Sequence, residues 1–412
     1  MSRRGSGYEL LADGRFRELW AANFILTLGM VMLQLACGWT VASLTDNALL
    51  VSMVQTMVSL PFLFFAIPAG IANDRWGSRP LLLVSQMWML LSTGLLAAIA
   101  WYWDLTPWWI LSLLFLIGAG LAVQQSAWKP LLQDIAPDDK LVAAISLNSL
   151  GNKLAQTAGP ITGGYLVGAA GLGTVFAARA ASHLLMVVAL LRLPRRTGVR
   201  TREPGAAGSL REAWAVMRGS PQLYGPMIRC AFLMVPCAAV LALLPLEAKD
   251  NIQTDLLGYG GLLTLLGIGT TAGVSAMPVL RRRIRLNPLS AAAVAVFALS
   301  VLGISRWDSM LLDGALLVFF GFSWGVLGIS HQYAVQVAAP SDMRGLMTSL
   351  YSLVLQGSMA FGSVVFGVIA EHSVVSVSIL IAGVVAGCGL LLVRRYPIPD
   401  DTVPDEANAS AG

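Results

Sequence analysis

Charge is what this 412-residue chain has least of: charged side chains make up 12% of it, and hydrophobic ones 56%. A soluble domain carries about 25% charged residues. The deficit, with a mean hydropathy of +0.72, excludes an ordinary water-soluble fold and points to a bilayer. Lysine is scarcer still: Lys129, Lys140, Lys153 and Lys249 stand beside a majority of arginines. That bias suits a GC-rich bacterial genome and hence a plasma membrane. Cys37, Cys230, Cys237 and Cys388 all fall in apolar runs without metal-ligand spacing, so they read as small buried hydrophobes with no disulfide. The three histidines are scattered and suggest no metal site. A Gly-rich phosphate loop ending in Lys-Ser/Thr is missing, which argues against ATP hydrolysis. With no Ser/His/Asp arrangement either, neither an enzyme nor a cofactor is expected. The cluster Arg281-Arg282-Arg283-Ile284-Arg285 suits anionic lipid at a membrane face and not a nucleic acid.

What the chain does have is a repeat. Residues 133–137 read QDIAP and residues 336–340 read QVAAP. At the same offset of 203, Gly70 falls on Gly273, Arg79 on Arg282, Gly118 on Gly321, Gly159 on Gly362 and Gly164 on Gly367. Two copies of an apolar half imply two membrane bundles, the architecture of an alternating-access carrier with its site between the halves.

Spans need about 20 mostly apolar residues. Twelve are predicted, at 19–42, 49–71, 80–102, 107–129, 143–168, 172–193, 224–246, 256–280, 287–304, 310–335, 346–369 and 374–393. The expected organisation is an amino end (1–18) too charged for a cleavable signal, a six-helix bundle (19–193), an Arg-rich linker (194–223), a second six-helix bundle (224–395) and a disordered acidic tail (396–412). Within the linker, 210–218 can form an amphipathic surface helix. Of 27 basic residues, Lys249 and Arg306 fall on one side of this arrangement and Lys153, Arg179 and Arg229 inside spans; the rest share a side with both termini. By the positive-inside rule that side is cytoplasmic.

The loop after span 2 reads Gly70-Ile-Ala-Asn-Asp74-Arg75-Trp-Gly77-Ser-Arg79. Gly70 and Gly77 suit close helix approach and a tight turn. Asp74 can pair with Arg75, Arg79 or a helix of the other half, holding one face shut in one state and releasing it in another. The second half keeps Gly273 and Arg282 but has Met277 at the Asp position, so such a latch is one-sided. This loop resembles the signature of the major facilitator superfamily. Phe16-Arg17-Glu18-Leu19-Trp20, Leu243-Leu244-Pro245-Leu246, Tyr259-Gly260, Arg344-Gly345 and Gly159-Pro160-x-x-Gly163-Gly164 together resemble its drug-efflux branch, which includes macrolide exporters and the enterobactin exporter. The resemblance implies an all-α fold of twelve transmembrane helices in two pseudo-symmetric six-helix bundles. It also implies that Gly159, Pro160, Gly163 and Gly164 form the antiporter signature of span 5, where small residues let helices pack and Pro160 bends the helix at the pathway. Where that branch often carries an acid after the mid-span Gly of span 1, Gly29 is followed here by Met30. A proton-coupling site would then fall to Asp74, Lys153, His183, Glu247, Asp255, Asp313, His331 or Glu371.

Ionisable groups inside spans are costly and usually face an interior or a wet cavity. Lys153 lies in span 5 beside Asn148, Asn152 and Gln156, which share one helical face. Gln34, Gln124, Arg229, Trp324, His331 and Gln356 are further candidates for lining the pathway, with Gln356 at the repeat position of Lys153. Against a lining role, each could instead be an internal hydrogen-bonded group, or for Arg229 a snorkelling one. The sequence supports a carrier, expected to be a monomer, for a small amphipathic drug or natural product, with protons as a possible coupling ion. Siderophore export, lysolipid or lipid flipping and metabolite import stay open beside it.

Overall fold

The computed structural model describes residues 7–135, 140–193, 210–340 and 343–398. Among them are fifteen α-helices and no strand. Two short helices, α1 (Gly7–Ala12) and α9 (Leu210–Gly219), accompany the long ones. The first half comprises α2 (Gly14–Leu44), α3 (Ala48–Ser59), α4 (Pro61–Trp76), α5 (Ser78–Tyr102), α6 (Pro107–Ile135), α7 (Leu141–Ala170) and α8 (Leu172–Arg192). The second comprises α10 (Pro221–Leu246), which runs into a π-helical turn (Glu247–Asn251), α11 (Leu256–Leu280), α12 (Leu286–Ile304), α13 (Met310–Ala338), α14 (Arg344–His372) and α15 (Val375–Arg395). Span 2 is the broken one. Pro61 lacks an N–H, so α3 ends at Ser59 and α4 restarts at Pro61.

Eleven of these segments are long and apolar enough to cross a membrane. The twelfth, α7, has 30 residues but carries the polar face of Asn148, Asn152, Lys153 and Gln156. Polar caps set several starts. Asp13 accepts from the Arg15 N–H ahead of α2, Asn47 from the Leu50 N–H of α3, and Asp255 from the Gly258 N–H of α11. The helix α2 begins at Gly14, five residues before the span expected from 19. The carboxyl side differs too: Tyr396 packs edge-on against Tyr224, and the Ile398 N–H donates to Asn287. Tail residues from 399, linker residues 194–209 and the first six residues lie outside the described part.

Within the first half, α2 packs on α7 and α8, α5 on α6 and α8, and α4 on α6; within the second, α11 packs on α13, α10 on α14 and α15, and α12 on α13 and α15. Between the halves, α7 meets α11 and α3 meets α14 and α10. We call the end bearing the start of α2, α9 and the end of α15 the terminal face and the opposite end the far face. At the far face the halves are clasped. Lys249 Nζ donates to the Ala42 carbonyl at 2.7 Å and lies 3.5 Å from Asp46. Glu371 accepts from Asn47 Nδ2 at 3.0 Å and from the Ala48 N–H at 2.7 Å. About two turns deeper, the Thr56 and Ser363 hydroxyls are 2.7 Å apart.

Candidate functional site

A cavity of about 610 Å³ lies between the halves, on the terminal side of the clasp. Both halves supply its walls: Thr27, Met30, Gln34, Gln55, Lys153 and Gln156 from one, Tyr259, Thr270, Trp324, Gln332, Tyr351 and Gln356 from the other. Most of the remaining lining is aliphatic, including Val31, Val54, Leu263 and Leu355. Lys153 is the one charged residue in that lining. Among the described residues it has neither a hydrogen bond nor an ion pair. Its amide neighbours Gln34, Gln156 and Gln356 can accept from it or from a ligand but cannot neutralise it.

How α7 presents Lys153 follows from its glycines. A Cβ on Gly159 would stand 2.9 Å from the Val31 Cβ, and one on Gly163 would stand 3.1 Å from the Met32 Cα. Those two residues let α7 lie against α2. A Cβ on Gly164 would meet the Leu256 carbonyl at 3.1 Å, and the Pro160 carbonyl sits 2.8 Å from where Gly260 would carry a Cβ. The same run thus packs α7 against α11 of the other half. Small residues of this kind let membrane helices approach where apolar burial alone cannot drive association.

The polar face of α7 splits in two. Asn23 Nδ2 donates to Asn148 Oδ1 and to Asn152 Oδ1, each at 3.0 Å, and Thr27 Oγ donates to Asn152 Oδ1 at 3.1 Å. Asn148 and Asn152 are therefore occupied in joining α7 to α2 and do not line the cavity, whereas Lys153 and Gln156 do. Three other sequence candidates also lie elsewhere. Arg229 is 1% exposed and donates to Asn287 Oδ1 at 2.9 Å, to the Tyr396 carbonyl at 3.2 Å and to Ser290, pinning α10 to α12 and the tail. It is far from snorkelling. His331 is fully buried in α13, both ring nitrogens without a partner. Gln124 sits in α6 with its buried Oε1 unpartnered. Gln34, Lys153, Gln156, Trp324 and Gln356 are the candidates brought together.

Gln55 in α3 escaped the sequence reading, although a lone amide in an otherwise apolar run was signal enough. Gln332, which the sequence offers beside His331 and Gln336 as a lining residue of span 10, does face the cavity. Tyr259 and Tyr351 escaped because neighbouring residues on the same helix are core, and one sequence does not tell the faces of an all-apolar helix apart.

The loop motif sits at the terminal face. Gly77 has φ +82°, a conformation that favours glycine, and turns α4 into α5. Arg79 Nε donates to the Leu190 carbonyl at 2.9 Å and its terminal nitrogen to the Leu191 carbonyl at 3.0 Å, capping the last turn of α8 in its own half. Asp74 and Arg75 are exposed, and among the described residues neither is paired. Gly70 departs from expectation: a Cβ there would meet nothing within 4 Å, so it serves no close helix approach.

Comparison with known proteins agrees with this fold. The chain aligns with macrolide efflux protein A of Streptococcus pyogenes at 20% identity, over 91% of this chain and 94% of that protein. It aligns with the staphyloferrin A transporter of Staphylococcus aureus at 21% identity, over 88% and 93% respectively. The crystal structure of a D-xylose–proton symporter superposes with a TM-score of 0.73 at 13% identity, covering 94% of this chain and 98% of that one, a likeness of fold. The family described as transmembrane secretion effector matches residues 5–410. Transport across a membrane, and not bond-making catalysis, is the business of such chains: this protein belongs to the transmembrane secretion effectors of the major facilitator superfamily.

Proposed function

We propose that this carrier exports amphipathic organic molecules bearing an anionic group, moving them out of the cytoplasm by alternating access. The single observation behind this reading is the unpaired ammonium of Lys153, alone among amides and aliphatic side chains. A lone charge at membrane depth costs a few kcal/mol on insertion scales, and an anionic ligand would relieve that cost at the moment of binding. The apolar walls, with Met30 and Trp324, supply adaptable contact for a bulky body. Basic residues crowd the terminal face, which we take as cytoplasmic. With the far face clasped, the conformation is then one that receives substrate from the cytoplasm. The motif Gly70, Asp74, Arg75, Gly77 and Arg79 would latch that side in the opposite state, and Gly159, Pro160, Gly163 and Gly164 would be the surface on which the halves rock.

Relatives named for macrolide and staphyloferrin A transport support export of natural products as the general class. Siderophore export is the second reading, because iron chelators rich in anionic oxygens would meet Lys153 well. Accumulation in inverted membrane vesicles tests both. We expect vesicles from expressing cells to accumulate anionic amphiphiles over neutral analogues of the same size, and Lys153→Met to remove that preference. Equal handling of anionic and neutral analogues by the native protein removes the substrate class, and accumulation by right-side-out vesicles alone removes the direction.

A further inference from the structure

The cavity accounts for the charge of the first half but leaves two acids of the second half unexplained. Glu247 begins the π-helical turn that follows α10, and Asp313 stands in the first turn of α13. Both have zero exposure. Asn251 Nδ2 donates to Glu247 Oε2 at 2.8 Å and also reaches Ser376 Oγ at 3.0 Å. Glu247 Oε1 and both carboxylate oxygens of Asp313 have no hydrogen-bond partner. The Asp313 N–H donates to the Ser309 carbonyl at 2.8 Å, and the Ser309 backbone lies near the carboxylate without bonding to it in ordinary geometry.

The surrounding charges do not help. Asp313, Asp308 and Asp250 all act on Glu247, and Asp308 acts on Asp313, each with the same sign. The cation on the same turn, Lys249, is directed elsewhere: to the Ala42 carbonyl, to Asp46 and, at 3.7 Å, to Asp250. Among the described residues no cation pairs with either buried acid. Two buried carboxylates, one acting on the other and neither paired with a cation, cannot both stay ionised at tolerable cost, whereas a bound proton removes a charge and supplies a missing donor.

Position gives the pair its meaning. Glu247, Lys249 and Asn251 share one π-helical turn, and Lys249 is half of the far-face clasp. A π turn is a local irregularity often found where a helix has work to do. Two residues before Glu247, Pro245 lines the cavity. We propose that Glu247 and Asp313 form a proton-binding site that couples the far-face clasp to the proton gradient. When the clasp opens, water outside reaches the pair and loads it; closure then seals the loaded pair, as in the conformation seen here. The sign follows from linkage, since the state that binds more protons is favoured as pH falls. Acid outside therefore favours the clasped state and alkali the open one. This rests on the alternating-access reading but not on Lys153 or on any substrate.

Distance measurement across the far face tests it without substrate. Spin labels at Trp103→Cys and Trp307→Cys, both exposed and in opposite halves, can be read in lipid nanodiscs after Cys388→Ser removes the exposed native thiol. Between about pH 6 and about pH 8, a range in which a shared carboxyl proton can be lost, the population with a long separation should rise severalfold. Asp313→Asn and Glu247→Gln should each hold the short separation across the range, because the amides copy the shape of a protonated acid. No pH response in the native sequence overturns the proposal. So does a response that survives both substitutions, or one that vanishes only with Glu371→Gln, which would place the sensor on the exposed clasp carboxylate. Failure of both amide variants to fold in acid overturns it too, since the fold would then need the carboxylate charges. Because no substrate is present, none of these outcomes bears on the Lys153 cavity.

Discussion

Gly70 and Gly273 hold the same position in the two halves, one repeat apart, yet they live in different surroundings. A Cβ on Gly273 would stand 2.2 Å from the Phe322 carbonyl, whereas one on Gly70 would meet nothing within 4 Å. The neighbouring pair behaves alike in both halves: Gly118 faces the Met57 carbonyl at 2.8 Å, and Gly321 faces the Leu266 carbonyl at 2.2 Å. The halves therefore share one packing scheme that fails in the first half beyond Pro61. Its counterpart at offset 203 is Thr264, which keeps its N–H, and α11 runs unbroken from Leu256 to Leu280. A proline in a helix removes one hydrogen bond and pushes on the preceding turn. The difference teaches that two bundles of similar packing can differ in use through single positions such as Pro61 and Thr264. The first half now carries the exposed loop motif and the cavity cation. The second carries a closely packed glycine seam and the buried acids.

The largest test breaks that contrast directly. Gly273→Val should cost 3 kcal/mol or more, above the roughly 1–3 kcal/mol usual for overpacking, because a backbone carbonyl cannot step aside as a side chain can. Gly70→Val should cost about as little as an exposed helix substitution. Melting temperature and monodispersity in detergent read both, and equal losses would show that the halves are not packed differently. Next comes the charge at the matched cavity positions. Lys153→Gln should weaken binding of an anionic amphiphile by about tenfold or more, the worth of a hydrogen bond to a charged group. Adding Gln356→Lys to it should restore most of that affinity, since both side chains face one cavity. A double variant as weak as the single one would show that the site reads position and not charge.

Asp74→Asn should lower transport by about tenfold, on the same scale for a charge-assisted contact, while yield and melting stay native, because Asp74 is exposed and unpaired in this state. Unchanged flux in proteoliposomes would remove the loop from gating. The smallest effect belongs to the clasp: Glu371→Gln should open the far face by only about 1 kcal/mol, as expected for an exposed charge-assisted contact. It would appear as a modest rise in the long-distance population of far-face spin labels. A change as large as that from the buried acids would make the exposed clasp the dominant lock.

Much of the fold was legible in the chain. Apolar length sets the spans, because backbone groups in lipid must satisfy one another within the helix. The repeat in fixed register gives two bundles, and the glycine run 159–164 marks the helix that touches both. Part of the site was legible as well: Lys153, Gln156, Gln34, Trp324 and Gln356 were visible as polar or bulky residues in apolar spans. The rest depended on rotation and depth. Asn148 and Lys153 lie near one another on α7, yet one is held by Asn23 and the other faces the cavity. Arg229 looked equally able to line a pathway until Asn287, Ser290 and Tyr396 closed around it.

The sequence by itself determined a duplicated helical membrane carrier with a positive terminal face, since hydropathy, charge asymmetry and repeat register need no partner to be read. Only the tertiary structure decided which polar groups meet one another and which are left without a partner. Hydrogen bonds between helices such as Asn23–Asn152 join residues 129 positions apart, and no local pattern encodes them. The same reason explains Glu247 and Asp313. From the chain they are two acids near span ends; only the folded structure buries both with oxygens left unpartnered.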